Sequence, residues 1–286
     1  MYINITICFF CLTLIVFLLN KISPHPLLKL FQNWFRWITF SLIAGYILET
    51  TTWSSRPLWV HLSAGFALWF ILETALYHFS IQMFNLSNIK LFPQYEKDTS
   101  QNLWPINTRA LKIKEWINEH SFKPRVHLKA KLINEIQIRQ AVYLNEEKSI
   151  QLNVLFVPQA KENIQIYFSF LSNFESGECL LTDNQNMPFG GYYPKNWQVS
   201  RWPLSNSLDY LFKTHIKKME QKNLNLKIKE EDILYDTNLR QTELEKVNRN
   251  LGFMNQPQQR EIISTRGCFR VWTEMWLLAY LGGTLS

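Results

Sequence analysis

Two kinds of hydrophobic order follow one another along the chain: long apolar runs up to about residue 80, then alternation of apolar and polar positions from about residue 125. The first run, Tyr2 to Asn20, carries no charge and at about 1.5 Å per residue covers the roughly 30 Å hydrocarbon core of a bilayer. The second, Trp34 to Thr50, has Arg36 near its start and Glu49 near its end, where both side chains can reach the interface. The third, Pro57 to Phe79, is bracketed by Trp59 and Tyr77, as interfacial anchors should be. The pattern predicts three transmembrane helices, over about 2–20, 34–50 and 57–79. A cleaved signal peptide competes for the first run. No Lys or Arg precedes it, however, and Asn20-Lys21-Ile22-Ser23-Pro24 offers no small-x-small cleavage site, so retention is expected.

Residues 81–103 read as an interfacial segment, ending at Pro93, and a polar linker. A helix fits Asn107–His120, where Ile106, Ala110, Ile113, Trp116 and Ile117 recur at helical spacing. Four segments then alternate: Val126–Leu132, Ile136–Leu144 with one polar interruption, Ile150–Phe156 and Ile164–Phe170. A fifth, Glu178–Thr182, pairs back through the turn Asn173–Gly177. Period two with one polar face predicts a half-buried antiparallel meander of four or five strands. Further helices are expected at Asn206–Lys222, with Asn206 as cap, and at Glu230–Leu251, stopped by Gly252. Thr265–Leu281 reads as an amphipathic helix on the membrane or closing the core. A fourth span there is opposed by its length and by Arg266, Arg270 and Glu274. The fold class expected is an α+β membrane protein: a 1–80 anchor and a 104–286 cytosolic domain in which the meander packs with three or four helices.

Charge divides the chain the same way. Residues 1–80 hold four Lys/Arg and two acids, and the remainder holds the other 26 basic and 21 acidic residues. Lys21, Lys29 and Arg36 flank the first connection, whereas only Arg56 lies in the second, which places the amino terminus outside and the domain in the cytosol. The unpaired Cys179 and Cys268 suit that compartment. A bacterial inner membrane fits an anchor with no eukaryotic sorting signature. The net charge of +7 is spread among acids in the domain, so an anionic leaflet is the expected partner and nucleic acid is not. Cys8 and Cys11 form a C-x-x-C among apolar residues, where packing is the natural role.

Glu73 lies inside the third run. A carboxylate at that depth requires a partner, and Arg36, at the same end of the second run, is expected to pair with it. Glu49 is similarly expected near Arg56 or His61. The second focus is the segment 184–203, rich in Gly, Pro and aromatics and too long for an ordinary connection. Its Phe189, Tyr192, Tyr193, Trp197, Arg201 and Trp202 are of the types that dominate binding surfaces, for a protein partner or for lipid.

No nucleotide-binding loop, nucleophile elbow or zinc-ligand motif is present. Ser172 or Cys179 with His215 and Asp183 makes a triad on paper only, and Glu175, Glu178 and Asp183 a carboxylate turn that solvent would equally explain. No cofactor, metal or catalytic residue is therefore expected. The leading expectation is a non-enzymatic, membrane-anchored binding or scaffold module. Alternatives are a hydrolase-like membrane-associated enzyme with a site near His215 and Asp183, and a small channel or transporter built on Glu73.

Overall fold

The computed structural model describes residues 2–51, 55–100, 104–105, 108–133, 136–159, 164–222, 225–226, 232–256 and 261–285. The chain opens with helices α1 (Tyr2–Ile22), α2 (Pro26–Thr50) and α3 (Leu58–Leu86). By length and composition α1 and α3 can each cross a membrane. α2 begins at Pro26, well before Trp34, because proline is preorganised for a first helical turn and His25 Nδ1 accepts from the Leu27 N–H at 3.2 Å. α3 runs past Phe79 to Leu86, so part of the expected surface collar continues the helix, with Ile81 buried. α2 and α3 approach closely at Gly65, where an added Cβ would lie 3.1 Å from the Ser41 carbonyl oxygen.

The domain contains a seven-stranded sheet in the order β1 to β7: β1 (Glu96–Lys97), β2 (Lys123–Lys131), β3 (Gln137–Leu144), β4 (Gln151–Pro158), β5 (Ile164–Asn173), β6 (Cys179–Asp183) and β7 (Trp197–Arg201). Strands β2 to β6 are the antiparallel meander expected from the alternation, and two edge strands raise the count from five to seven. β1 has only two residues and leaves no readable pattern. β7 lies inside the segment expected to be irregular and pairs parallel to β6, the one parallel pair of the sheet.

Four more helices accompany the sheet: α4 (Thr108–Glu119), α5 (Leu208–Lys222), α6 (Ile233–Asn250) and α7 (Thr265–Trp276), which runs on as a π-helical turn, Leu277–Leu281. The cap of α5 is Ser207, whose Oγ accepts from the Tyr210 N–H at 3.2 Å, in place of Asn206. The expected starts of α4 at Asn107 and α6 at Glu230, the linker end near Asn102 and most of the connection after Gln159 lie outside the described residues.

Neither sheet face is solvated as expected. The apolar stripes of β4 and β5, with Leu152, Val154, Phe156, Ile166, Phe168 and Phe170, pack against α4 and α5. The stripes of β2 and β3, with Leu128, Ala130, Ile138 and Val142, fall on the opposite face, with Ile233 and Leu234 of α6 against them. A third core joins the sheet-bearing part of the chain to α3. Ile81 and Phe84 of α3 meet Phe189, Phe253, Ile263, Val271 and Trp272.

Helix α7 therefore docks on α2 and α3. Asn33 Nδ2 donates to the Ala279 carbonyl at 2.9 Å, and Trp34 Nε1 donates to that of Tyr280 at 2.8 Å. Trp276 packs against Trp37, Phe70, Tyr77 and Tyr280. Burial of such aromatic surface is worth on the order of 1.5–3 kcal/mol per side chain relative to exposure.

Candidate functional site

On the face away from α4 and α5, the strand register lines up polar residues. Asn153, Ser169, Asp183 and Arg201 each pair directly with the next, from β4 to β7. Side chains two apart share a face, so Gln151 stands beside Asn153, and Gln140 of β3 projects from the same side. Gln140 Nε2 and Gln151 Nε2 donate to Asn153 Oδ1 at 2.9 and 2.6 Å, and Asn153 Nδ2 donates to Ser169 Oγ at 3.2 Å. Buried polar side chains are expensive unless they are hydrogen-bonded, and this chain of bonds answers that cost along the row.

Over the row lies a cleft of about 380 Å³, within the range of small-ligand sites. Phe92 and Tyr95 form one wall, Thr237, Arg240 and Leu244 of α6 a second, and Phe189, Tyr193 and Trp197 a third. The cleft thus combines a floor of amides and hydroxyls with aromatic walls.

The aromatic wall is held in place by a buried ionic node. Arg201, with 1% of its side chain exposed, donates through Nη1 to Glu274 Oε1 and through Nη2 to the carbonyls of Gln185 and Met187, at 3.0 and 2.9 Å. Its Nε lies 3.6 Å from Asp183 Oδ1. Glu274, fully buried on α7, accepts with Oε2 from the backbone N–H groups of Phe189 and Gly190. Gly190 has φ +66° and a Cβ there would sit 2.7 Å from Val271 N, so glycine alone allows the loop this near to α7. Arg270 Nε donates to the Gly190 carbonyl at 2.6 Å, and Asn248 of α6 bonds both backbone groups of Tyr192. Burial pushes the Asp183 carboxyl up to about 6, against the opposing pull of Arg201 and the Gln185 N–H. The same burial raises the Tyr193 hydroxyl above its ordinary value.

The six expected binding residues are thus divided. Phe189, Tyr193 and Trp197 line the cleft, and Arg201 braces it from beneath. Tyr192 turns away and takes the Arg270 guanidinium 4.0 Å from its ring centroid. Trp202 faces the other side of the sheet, packed on the first core with its Nε1 on Ser200 Oγ at 2.9 Å.

Between α2 and α3 the structure brings Arg36 and Glu73 together, with Nη2 donating to Oε1 at 3.1 Å. Trp69 Nε1 at 2.6 Å, the Tyr77 hydroxyl at 2.9 Å and the Tyr280 hydroxyl donate to the same carboxylate. His61 is buried, and neither of its ring nitrogens has a hydrogen-bond partner among the described residues.

The paper triad does not assemble. His215 of α5 bonds Ser172 Oγ at 3.1 Å and Thr182 Oγ1 at 3.0 Å, all three fully buried where α5 meets the sheet. Asp183, one residue on from Thr182, projects to the opposite face of the sheet. The carboxylates of the last turn also diverge: Glu178 pairs with Lys222, Glu175 accepts from Asn225, and Asp183 belongs to the Arg201 node.

Gln140, Gln151, Asn153, Ser169 and Glu274 are the site residues that sequence reasoning missed. Gln140 is the polar interruption of the second segment's stripe, the one visible sign of a polar floor. No family model matches the chain, and no curated protein or solved structure matches it.

Proposed function

We propose that this chain is a membrane-anchored binding module, with α1, α2 and α3 as three spans, the amino terminus outside and the sheet domain in the cytosol. The apolar length of α1 and α3 supports insertion, and the pairing of Arg36 with Glu73 supplies the polar content of α2 with an internal partner. A bacterial inner membrane suits this arrangement.

The binding site is the cleft over the sheet, and its ligand is small, uncharged and rich in hydroxyl or amide groups. The row from Gln140 to Asp183 beneath three aromatic side chains carries this reading. Amide and hydroxyl side chains both donate and accept, so they match neutral polar groups better than a fixed charge. The aromatic faces supply contact area with little entropy to lose.

The test is ligand-observed NMR on the detergent-solubilised full chain, using neutral disaccharides and capped dipeptides as probes. Binding by one class is expected, lost in Asn153→Leu and Trp197→Ala and kept in Tyr192→Ala. Absence of binding by both classes, or equal loss in all three variants, would overturn the assignment.

A further inference from the structure

A second cleft, of about 350 Å³, opens where α2 and α3 meet the domain. Lys29, Asn33 and Arg36 recur at four and three residues along α2 and so share one helical face, which lines it. Leu30, Leu204 and Leu278 give it apolar walls, and Asn186 enters from the loop. Charge in this cleft is unbalanced. Glu73 at its base already receives Arg36 and the Tyr77 hydroxyl, whereas Lys29 has no ion-pair partner among the described residues. Arg36 keeps 45% of its side chain exposed and presents further N–H donors toward the opening.

Two cations beside apolar walls, at the cytosolic end of two spans, describe the surroundings of a phospholipid phosphate. We infer that this cleft binds the phosphate of an anionic lipid headgroup, with Lys29 and Arg36 as its cationic contacts and Leu30, Leu204 and Leu278 against the glycerol and upper acyl carbons. Arg36 then serves two anions, Glu73 below and the lipid above, which its forked guanidinium permits. The inference rests on the membrane reading given above. It adds a defined stoichiometry and a defined residue to what would otherwise be diffuse attraction to an anionic leaflet.

The experiment is native mass spectrometry of the full chain in a non-ionic detergent, titrated separately with phosphatidylglycerol, phosphatidylcholine and inorganic phosphate. One tightly retained phosphatidylglycerol is expected, with affinity lowered about fivefold in Lys29→Gln and further in Lys29→Glu. Lys21→Gln makes the same charge change beside the same connection, at the end of α1 and outside the cleft, and is expected to leave retention unaltered. Equal loss in Lys21→Gln and Lys29→Gln, or phosphatidylcholine held as tightly as phosphatidylglycerol, would overturn the inference. Inorganic phosphate binding through Lys29 with no lipid retained would assign the site to soluble phosphate and overturn the lipid assignment. Flotation with phosphatidylcholine vesicles separates the two levels: a chain that floats without lipid selectivity sinks this inference alone, and one that stays in the aqueous phase sinks the membrane reading itself.

Discussion

The Tyr280 hydroxyl donates to the Glu73 carboxylate across 207 positions of sequence. With Arg36, Trp69 and Tyr77 it gives that buried group four donors from three stretches of chain. A carboxylate so supplied is a packing centre, and α2, α3 and the end of α7 meet on it.

Tyr280→Phe removes one donor and keeps the ring. Hydrogen bonds to charged groups contribute about 1.5–3 kcal/mol, and the three remaining donors soften the loss, so a destabilisation of about 1–2 kcal/mol is expected in detergent. Glu73→Gln should lower stability more, and in its background Arg36→Gln should cost little further. Thermal unfolding of the four-member mutant cycle checks this, and strict additivity of the two changes would rule out the pairing.

Glu274→Gln removes the closer of the two counter-charges that Asp183 and Glu274 give the buried Arg201. Removing one member of a buried pair costs on the order of 3–5 kcal/mol, and here it also loosens Phe189 and Gly190. Limited trypsinolysis should cut after the exposed Lys195 at least tenfold faster than in the parent chain. An unchanged rate would mean that α7 does not hold the loop.

The pH dependence of stability has a definite sign at Asp183. Its folded carboxyl titrates near 6 against an ordinary 3.8, so the folded state binds the proton more tightly than the unfolded chain. Stability from this group is full below about pH 4 and falls as pH rises to about 6, by roughly 2–3 kcal/mol at most. Urea midpoints measured between pH 4 and 7 should show this fall in the difference between the parent chain and Asp183→Asn. A flat difference would contradict it.

Gly190→Ala tests the close approach of loop and helix. The positive φ and the 2.7 Å meeting with Val271 N predict a loss of more than about 1 kcal/mol. At Gly177, also at positive φ but open to space within 4 Å, the same change should cost less. Chemical denaturation of the two variants gives the comparison.

Much of the meander was legible because period-two alternation survives wherever one side of each strand is apolar. Which core each position enters was not legible: β3, β4 and β5 feed both, with Ala141 and Tyr143 opposite Ile138 and Val142, and only the register across strands reveals it. The polar row has the same origin, since Asn153, Ser169 and Asp183 are 14 to 16 residues apart and look like ordinary outward positions until the strands align. Glu274 read as a charge opposing a fourth span, whereas its meaning depends on Arg201, which lies 73 positions away. Arg36 and Glu73 were readable together because an apolar run makes every charge within it conspicuous.

The distribution of donors around Glu73 also sets an order of events during synthesis. Trp69 and Tyr77 lie one turn before and one turn after it on α3, so two of its partners are made together with it. Arg36 is already there on α2, made earlier. Tyr280 is made 207 residues after Glu73, and its arrival seats α7 and brings Glu274 to Arg201. This later-made segment therefore closes both the helical bundle and the cleft wall, and a nascent chain stalled before it would hold paired α2 and α3 and an open cleft.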